Sequence, residues 1–229
     1  MINKSPVVGR ETTVSGQTLS PDQIGIGMRI SVHPHADDFE RIILDAIKYT
    51  HHVLKVDEPD SGLEISTGEV STYVGVNSGE SAQQLAAYAS TLIRAASEES
   101  NRQHLTSHIL LSRGCPGEAT CELVPGEIPA EKPVQLAKSE LEVAAAWSLY
   151  PLADGTVPHM TPIYAAIDQA KASGVQVTSE HFATILRGDL ADVIKTIVDA
   201  WAQIGQEIPH VVSHISISVD SPSAQRNGE

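Results

Sequence analysis

The stretch Met28-Arg29-Ile30-Ser31-Val32-His33-Pro34 decides the fold, because it returns in outline as Ala145-Ala146-Trp147-Ser148-Leu149-Tyr150-Pro151. Each stretch alternates between two kinds of side chain and ends at proline, which is typical of a short strand with one buried face. Ordered self-similarity of this kind indicates an internal repeat. The sequence therefore predicts two related halves rather than a single large domain.

Three further matches follow in the same order along both halves. They are Ile43–Ile47 with Ile163–Ile167 in a helix, Ser71–Val74 with Ala183–Leu186 in a strand, and Ser107–Ser112 with Ser213–Ser218 in a last strand. Each half therefore has the order strand, helix, two strands, helix, strand, a βαββαβ unit. Such a unit covers one face of its antiparallel sheet with helices and leaves the other face open, so mutual packing of the two sheets or a dimer is expected.

The second helix of each half has the clearest pattern. Apolar residues recur at three-residue and four-residue steps, at Leu190, Val193, Ile194, Ile197, Val198, Trp201 and Ile204, and in the first half at Leu85, Tyr88, Ala89, Leu92, Ile93 and Ala96. This spacing predicts an amphipathic helix. Asp189 stands just before the second of these helices and can cap its free amides.

Alternation in the strands predicts which side chains lie on the uncovered sheet face. In the first strand Met28, Ile30 and Val32 should face the helices, while Arg29, Ser31 and His33 face away. The last strands place His108, Leu110 and Ser112, and likewise His214, Ser216 and Ser218, on the uncovered face. The recurring serines either line a ligand site or fill a tight contact between sheets.

Composition shifts predict the domain boundaries. We expect a flexible extension over residues 1–22, a first repeat over 23–116, a linker over 117–142, a second repeat over 143–220 and a flexible tail over 221–229. The linker contains three prolines, and its last part, from residue 135 onward, could begin a helix or strand.

Charge and cysteine content limit the classes of function. The 229-residue chain has a formal net charge of −14, which disfavours nucleic acid and attracts small cations. Two cysteines are too few for a disulfide framework and favour a reducing compartment. Because no apolar run is long enough to span a bilayer, a soluble cytoplasmic protein is expected.

Few residues suggest catalysis or metal binding. His33, His35 and Asp37 form an H-x-H-x-D pattern that zinc hydrolases use, but Asp38 follows where a further histidine is needed. Capping of the next helix by Asp37 or Asp38 is the simpler interpretation. Gly114-Cys115-Pro116-Gly117 is interpreted as a tight turn, and His51, His52 and His181 as structural or solvated residues. No metal, cofactor or catalytic residue is predicted.

Several short motifs together resemble those of a known family. The run Gly27–Pro34 followed by Asp37-Asp38-Phe39, the Gly114–Gly117 turn, Ser148–Pro151 and the ending His214–Ser223 resemble the YkoF-type thiamin/hydroxymethylpyrimidine-binding family over about residues 24 to 223. The resemblance implies an α+β fold of tandem ferredoxin-like, ACT-like repeats with helices on one face. It also implies a homodimer, one ligand site per repeat, binding without catalysis, and an association with a membrane transporter for the thiamin precursor.

The resemblance also suggests the ligand-binding residues. Site one is expected to comprise Ser31, His33, Thr72, Tyr73 and Ser112, and site two Ser148, Tyr150, Thr184, Arg187 and Ser218. The family's third-strand pattern is serine or alanine, threonine, any residue, leucine, and one further residue before glycine. The second repeat keeps this pattern as Ala183–Gly188, whereas in the first repeat Gly75 comes one residue too early. The two sites should therefore differ in affinity or specificity.

Two alternatives to a vitamin-precursor-binding protein stay open. One is an ACT-type small-molecule-sensing module that regulates a partner enzyme or transporter. The other is an enzyme that uses His33, Asp37 and Asp38. Thermal stabilisation by ligand without turnover would favour binding, whereas stabilisation by amino acids alone would favour regulation.

Overall fold

The computed structural model describes residues 16–115, 126–152 and 160–223. Along the chain these form α1 (Pro21–Ile24), β1 (Gly27–Pro34), α2 (Phe39–Leu54), β2 (Leu63–Thr67), β3 (Thr72–Val76), α3 (Ser81–Glu99), β4 (Leu105–Arg113), β5 (Glu142–Pro151), α4 (Met160–Ala172), β6 (Gln176–Glu180), β7 (Ala183–Asp189), α5 (Leu190–Glu207) and β8 (Val211–Val219). Each repeat is thus a βαββαβ unit, as the sequence predicts.

All eight strands belong to one sheet in the order β2-β3-β1-β4-β8-β5-β7-β6, with every neighbouring pair antiparallel. Each repeat supplies four adjacent strands in the ferredoxin-like order. The expected fold class is confirmed. The two sheets do not pack face to face within the chain, however, because β4 and β8 pair edge to edge and make them continuous.

One sheet face carries the helices, and we call the other the open face. Met28 and Ile30 on β1 are buried against the helical layer, whereas Arg29 and His33 are exposed on the open face. The same alternation holds in β4 and β8. The predicted orientation of these strands is correct, and it follows from the two-residue period of a pleated strand.

Strand registers show that the two repeats correspond residue by residue. Ile30 is opposite Thr72 in repeat one, and Trp147 is opposite Thr184 in repeat two. At the junction Ile109 pairs with Ile215, its own counterpart in the other repeat. A pseudo-twofold axis therefore passes through the sheet at this pair.

The predicted helix stripes form the core between the helices and the sheet. Leu85, Leu92, Ile197 and Trp201 are all buried. Asp189 caps α5 as expected, since its carboxylate accepts a hydrogen bond of 2.9 Å from the Ala191 amide. Asp38 precedes α2 but makes no side-chain cap, because its carboxylate accepts hydrogen bonds from Arg41 instead.

The described parts of the predicted extension and linker are packed against the repeats. Leu19 is buried, and Thr18 forms a bridge with Glu127. Residues 126–141 lead to β5 along α3 and α5, which they contact through hydrogen bonds to Gln83, Asp199 and Gln206, and Val134 within this segment is buried. Glu131 accepts a hydrogen bond of 2.6 Å from Ser81 Oγ at the start of α3. Residues 1–15 and 224–229, where the expected tails mainly fall, lie outside the described residues.

The first strand of each repeat has a free edge over its last four residues. The pairing of β1 with β3 ends at Ile30, so Ser31–Pro34 pair with β4 alone. The pairing of β5 with β7 ends at Trp147, which leaves Ser148–Pro151 in the same position. A free strand edge presents unpaired backbone donors and acceptors. We call these two four-residue segments the edge notches.

Candidate functional site

A cavity of about 340 Å³ lies beside the edge notch of repeat one. It is bordered by Ser31–Pro34, by the first half of α2 and by the turn between β2 and β3, and we call it the hairpin cavity. Its walls are apolar at Ile43, Ile47 and Leu92. Polar groups converge on it from Ser31, His33, Thr67, Glu69, Ser71 and Thr72. Apolar walls with a few convergent polar groups are typical of small-molecule sites.

Two short hydrogen bonds organise the polar side of the hairpin cavity. Thr67 Oγ1 and Thr72 Oγ1 lie 3.1 Å apart across the β2–β3 pair. His33 Nε2 lies 2.9 Å from Ser31 Oγ. Burial, with His108 and His35 adding to it, lowers the pKa of His33 below 6.5. His33 is therefore a neutral hydrogen-bonding group at neutral pH rather than a cation.

A second cavity, of about 380 Å³, lies at the opposite end of β1 on the open face. Tyr73 and Ser112 line it, together with Arg29, Glu64 and Asp22. The Tyr73 ring lies flat across a glycine, because a Cβ on Gly75 would come within 2.6 Å of the Tyr73 hydroxyl oxygen. Burial raises the pKa of Tyr73. The ring is thus a fixed wall of this cavity.

The five residues predicted for site one are divided between these cavities. Ser31, His33 and Thr72 line the hairpin cavity, whereas Tyr73 and Ser112 line the second one. Thr72 and Tyr73 are neighbours in β3, and successive side chains of a strand point to opposite faces. Thr72 is buried on the helix side, whereas the Tyr73 ring lies on the open side over Gly75, away from the edge notch, so the two side chains line different cavities.

The five residues predicted for site two lie on the corresponding strands. Ser148 Oγ donates a hydrogen bond of 3.0 Å to the Phe182 carbonyl, and Thr184 is buried beneath the same turn. Ser218 Oγ lies 3.0 Å from His104 Nε2, far along the sheet, and Tyr150 and Arg187 are exposed. None of the four best-formed cavities among the described residues is lined by any of the five. Residues 153–159, which follow the edge notch of repeat two, lie outside the described residues.

Hydroxyl groups of the hairpin cavity recur in repeat two. The strand registers make Ser31 equivalent to Ser148, and Thr72 equivalent to Thr184. By the β2–β3 and β6–β7 pairing, Thr67 corresponds to Ser179. The second cavity is not preserved in this way, because Ile185 replaces Tyr73 and Ala146 replaces Arg29. The edge notch with its hydroxyls is the feature that both repeats share.

Several cavity residues were missed by reasoning from the sequence. Thr67 could have been found, because it is the hairpin partner of Thr72 and its hydroxyl repeats as Ser179. Phe39, Glu69 and Val70 reach the cavity only through the way α2 and the β2–β3 turn fold over the notch, and no local pattern marks them.

The histidines of the H-x-H-x-D pattern do not converge. His33 lies against Ser31 and His108, while His35 Nδ1 lies 3.0 Å from His104 Nδ1. Asp38 is paired with Arg41, whose hydrogen bond lowers the pKa of that carboxyl. Among residues 16–115, 126–152 and 160–223, no three histidine, cysteine or acidic side chains are grouped to hold a metal ion.

The turn at Gly114-Cys115 has the predicted backbone, but its cysteine differs from expectation. Gly114 adopts a φ of 84° and donates its amide to the Ile24 carbonyl at 2.8 Å, which supports the predicted tight turn. Cys115 is disulfide-bonded, although the cysteine count had favoured a reducing compartment. Pro116 and Gly117 lie outside the described residues. In the part of the chain that the structure describes, no helix is both long and apolar enough to span a membrane.

Comparison with known proteins gives a consistent result. A family model described as the YKOF-related Family matches residues 142–224. A Bacillus subtilis (strain 168) protein, provisionally named HMP/thiamine-binding protein YkoF, is 30% identical over 200 residues, which are 86% of this chain and 91% of that protein.

Two solved structures also resemble parts of the chain. Hypothetical protein MJ1052 of Methanocaldococcus jannascii matches 33% of this chain and 77% of its own, with 28% identity and a TM-score of 0.31. Protein SP2199 of Streptococcus pneumoniae matches 38% of this chain and 99% of its own, with 22% identity and a TM-score of 0.30. At these TM-scores neither likeness bears on function.

Proposed function

The chain belongs to the YkoF-related family, and from that premise we propose that it binds thiamin or hydroxymethylpyrimidine without catalysing a reaction. The curated relative is named for HMP and thiamine binding, which supports this ligand class. We assign the binding sites to the edge notches, with the hairpin cavity as site one and its counterpart around Ser148 and Thr184 as site two.

The observation that carries the assignment is the shared chemistry of the two edge notches. Each has a free strand edge, a serine from the first strand and a threonine from the third, at Ser31 and Thr72 and at Ser148 and Thr184. An aminopyrimidine presents alternating donors and acceptors along its rim, and a strand edge with adjacent hydroxyls offers the complementary groups. The cavity volume of about 340 Å³ is in the range of small-molecule sites.

Charge favours thiamin as a ligand. The thiazolium ring is a permanent cation, and the protein has a formal net charge of −14. A field of this sign attracts the ligand over distance. Glu69 at the rim of the hairpin cavity is a local carboxylate of the required sign.

The contacts of Ser31 and His33 support binding without catalysis. A serine hydrogen-bonded to histidine is the start of a nucleophilic dyad, but the histidine then needs a third group that orients it. Burial lowers the pKa of His33, and the neighbouring His108 ring and the charge of His35 lower it further rather than stabilise its protonated form. In repeat two the corresponding residue is Tyr150, so the serine–histidine pair is not repeated there.

We further propose a homodimer that binds its ligand in the cytoplasm and supports uptake or salvage with a membrane transporter. The open face supports the dimer, because small or apolar residues such as Ala144, Ala146 and Leu110 lie along its centre. A second copy could cover this face. Size-exclusion chromatography with light scattering should give twice the mass of the chain, and a monomeric mass would exclude the dimer.

Isothermal titration with thiamin and with hydroxymethylpyrimidine tests the proposed ligands and sites. Thr72→Val and Thr184→Val each remove one hydroxyl at nearly constant volume. Each should weaken binding at one site by about threefold to tenfold, the worth of one hydrogen bond. Thr50→Val is the control, since Thr50 Oγ1 donates to the Ala46 carbonyl inside α2 away from the cavity. Both variants together should weaken both sites.

Three results would contradict the proposal. The first is the absence of heat with both ligands, and the second is unchanged binding in both threonine variants. The third is conversion of the ligand to a product, detected by mass spectrometry. Such conversion would favour the alternative that the protein is an enzyme. A thermal-shift panel that shows stabilisation by amino acids alone would favour the ACT-type regulatory module instead.

A further inference from the structure

The hairpin turns of the two repeats each carry an exposed apolar side chain at the same position. Val70 is 85% exposed, and Phe182 is 100% exposed. Each stands two residues before the matched threonine of the third strand, Thr72 or Thr184. We call these two residues the tip residues. A feature placed identically in both repeats is a property of the fold unit rather than an isolated surface residue.

Phe182 is held in an unfavourable conformation without any compensation from packing. Its φ is 65°, in the left-handed region that bulky residues avoid. Such a conformation destabilises the folded chain. Its ring buries nothing in return, since it is fully exposed. Glycine or asparagine would form this turn more readily, so the aromatic side chain has a use other than stability.

The surroundings of the turns indicate what that use is. Val70 forms part of the rim of the hairpin cavity, opposite Phe39. In repeat two, Ser148 in the edge notch donates a hydrogen bond of 3.0 Å to the carbonyl of Phe182 itself. The second turn is therefore held against the edge notch of repeat two, and this places Phe182 beside the residues proposed for site two.

We propose that the tip residues contact the bound ligand and set the ligand preference of each repeat. An aromatic face attracts a cation, whereas a valine side chain offers only apolar contact. Phe182 makes site two selective for the cationic thiamin over the neutral hydroxymethylpyrimidine. Val70 adds no cation–π contact at site one, where the attraction for a cation comes from Glu69 rather than from the tip residue. This inference rests on the proposed function and adds which of its two ligands each repeat favours.

The exchange of the two tip residues tests this proposal. In Phe182→Val the affinity of one site for thiamin should fall by about threefold to thirtyfold, the range of a cation–π contact. Its affinity for hydroxymethylpyrimidine should change by less than about twofold. Val70→Phe should raise the thiamin affinity of the other site. Titration calorimetry of the full chain with both ligands measures all four quantities.

Matched controls separate the tips from exposed apolar residues in general. Tyr164 is 58% exposed on α4, and Leu44 is 58% exposed at the matched position of α2. Leu44 does not line the hairpin cavity. Tyr164→Val and Leu44→Phe make comparable changes of side chain and should leave both affinities unaltered. Thermal unfolding should occur at a somewhat lower temperature in Phe182→Val, because the ring buries no surface but β-branched valine fits the left-handed φ of residue 182 less well.

The outcomes distinguish this inference from the proposed function. If the unaltered protein binds neither ligand, the proposed function is wrong and this inference falls with it. If the protein binds both ligands but the exchange leaves the ratio of their affinities unchanged, the inference alone is wrong. Equal loss of both ligands in Phe182→Val would also overturn the charge preference. Unchanged ligand binding with lost attachment to a partner protein or membrane would show that the tips serve docking instead.

Discussion

Arg113 is a charged residue in an apolar interior that satisfies it only in part, because its Nε and Nη2 are buried with no hydrogen-bond partner among the described residues. Its side chain is buried, its guanidinium lies 5.7 Å from the Trp201 ring, and one nitrogen donates to the Ala202 carbonyl at 3.4 Å. Burial lowers its pKa, and Glu131 opposes this. A Cβ on Gly205 would come within 2.4 Å of Arg113 Cδ. Glycine at 205 is thus required for β4 and α5 to pack around this residue.

Four histidines form pairs near the end of β1, and they make stability depend on pH. His33 lies beside His108, and His35 beside His104. Burial comes first among the causes that lower the pKa of His33 and of His104 below 6.5, and the neighbouring imidazoles add to it. Asp220 opposes the shift at His104. Protonation is therefore less favourable in the folded chain than in the unfolded chain.

The pH dependence has a definite sign. Because the folded pKa values lie below the unfolded ones, the unfolded state binds more protons as the pH falls through 6.5, and stability declines. The melting temperature should drop between about pH 7.5 and about pH 5.5, above the range where carboxylates titrate. His33→Gln with His104→Gln should reduce that drop. An equal drop in this double variant would contradict the assignment.

At the scale of elements, Asp189 joins three parts of the chain. Its carboxylate accepts hydrogen bonds from the amides of Ala191 in α5 and of Ser139 and Glu140 in the linker. Burial alone would raise its pKa, but these bonds outweigh burial and lower it. One side chain therefore caps a helix and fixes the entry of the chain into β5.

Removal of this carboxylate should be costly. Asp189→Ala leaves three amides without their acceptor, and we expect a loss of about 2 kcal/mol in the free energy of unfolding. Urea denaturation followed by circular dichroism measures it. Asp192→Ala is the control, since Asp192 pairs with Lys138 at the surface and such pairs contribute about 0 to 1 kcal/mol. Comparable losses in the two variants would show that Asp189 has no special role.

The elements could be predicted from the sequence, whereas the cavity could only be predicted in part. Strand alternation and the helix stripes are local patterns, so β1, α3 and α5 were placed correctly. The predicted site took both Thr72 and Tyr73 from the third-strand pattern of the family, although adjacent strand residues face opposite ways. Phe39 and Val70 reach the cavity through tertiary folding of α2 and a turn, for which the sequence contains no periodic signal.

At the scale of the whole molecule, the two repeats are joined by more than the covalent link. Nine residues of β4 pair with nine of β8. The linker adds contacts to repeat one, where Gln135 accepts from Gln83 and also donates to it. Separation of the repeats would expose two strand edges at the centre of the sheet, and exposed edges seek partners.

Two separate chains should therefore reassemble. If residues 1–126 and 127–229 are produced as separate polypeptides in one cell, a tag on one should retrieve the other in equal amount. A second polypeptide that begins at residue 140 lacks the linker contacts and should be retrieved less well. Independent purification of both polypeptides as well-behaved monomers would contradict a shared sheet. Gel densitometry of the retrieved material gives the ratio.

The pairing of Ile109 with Ile215 has a consequence for how the two halves could diverge. In an assembly of two identical chains built around such an axis, His108 would face Leu110 twice, and every substitution would occur on both sides at once. In the joined chain His108 faces Ser216 and Leu110 faces His214. In the fused chain β4 therefore does not have to pair with an identical copy of itself. A substitution can alter one half of the β4–β8 pairing while the other half keeps its original chemistry.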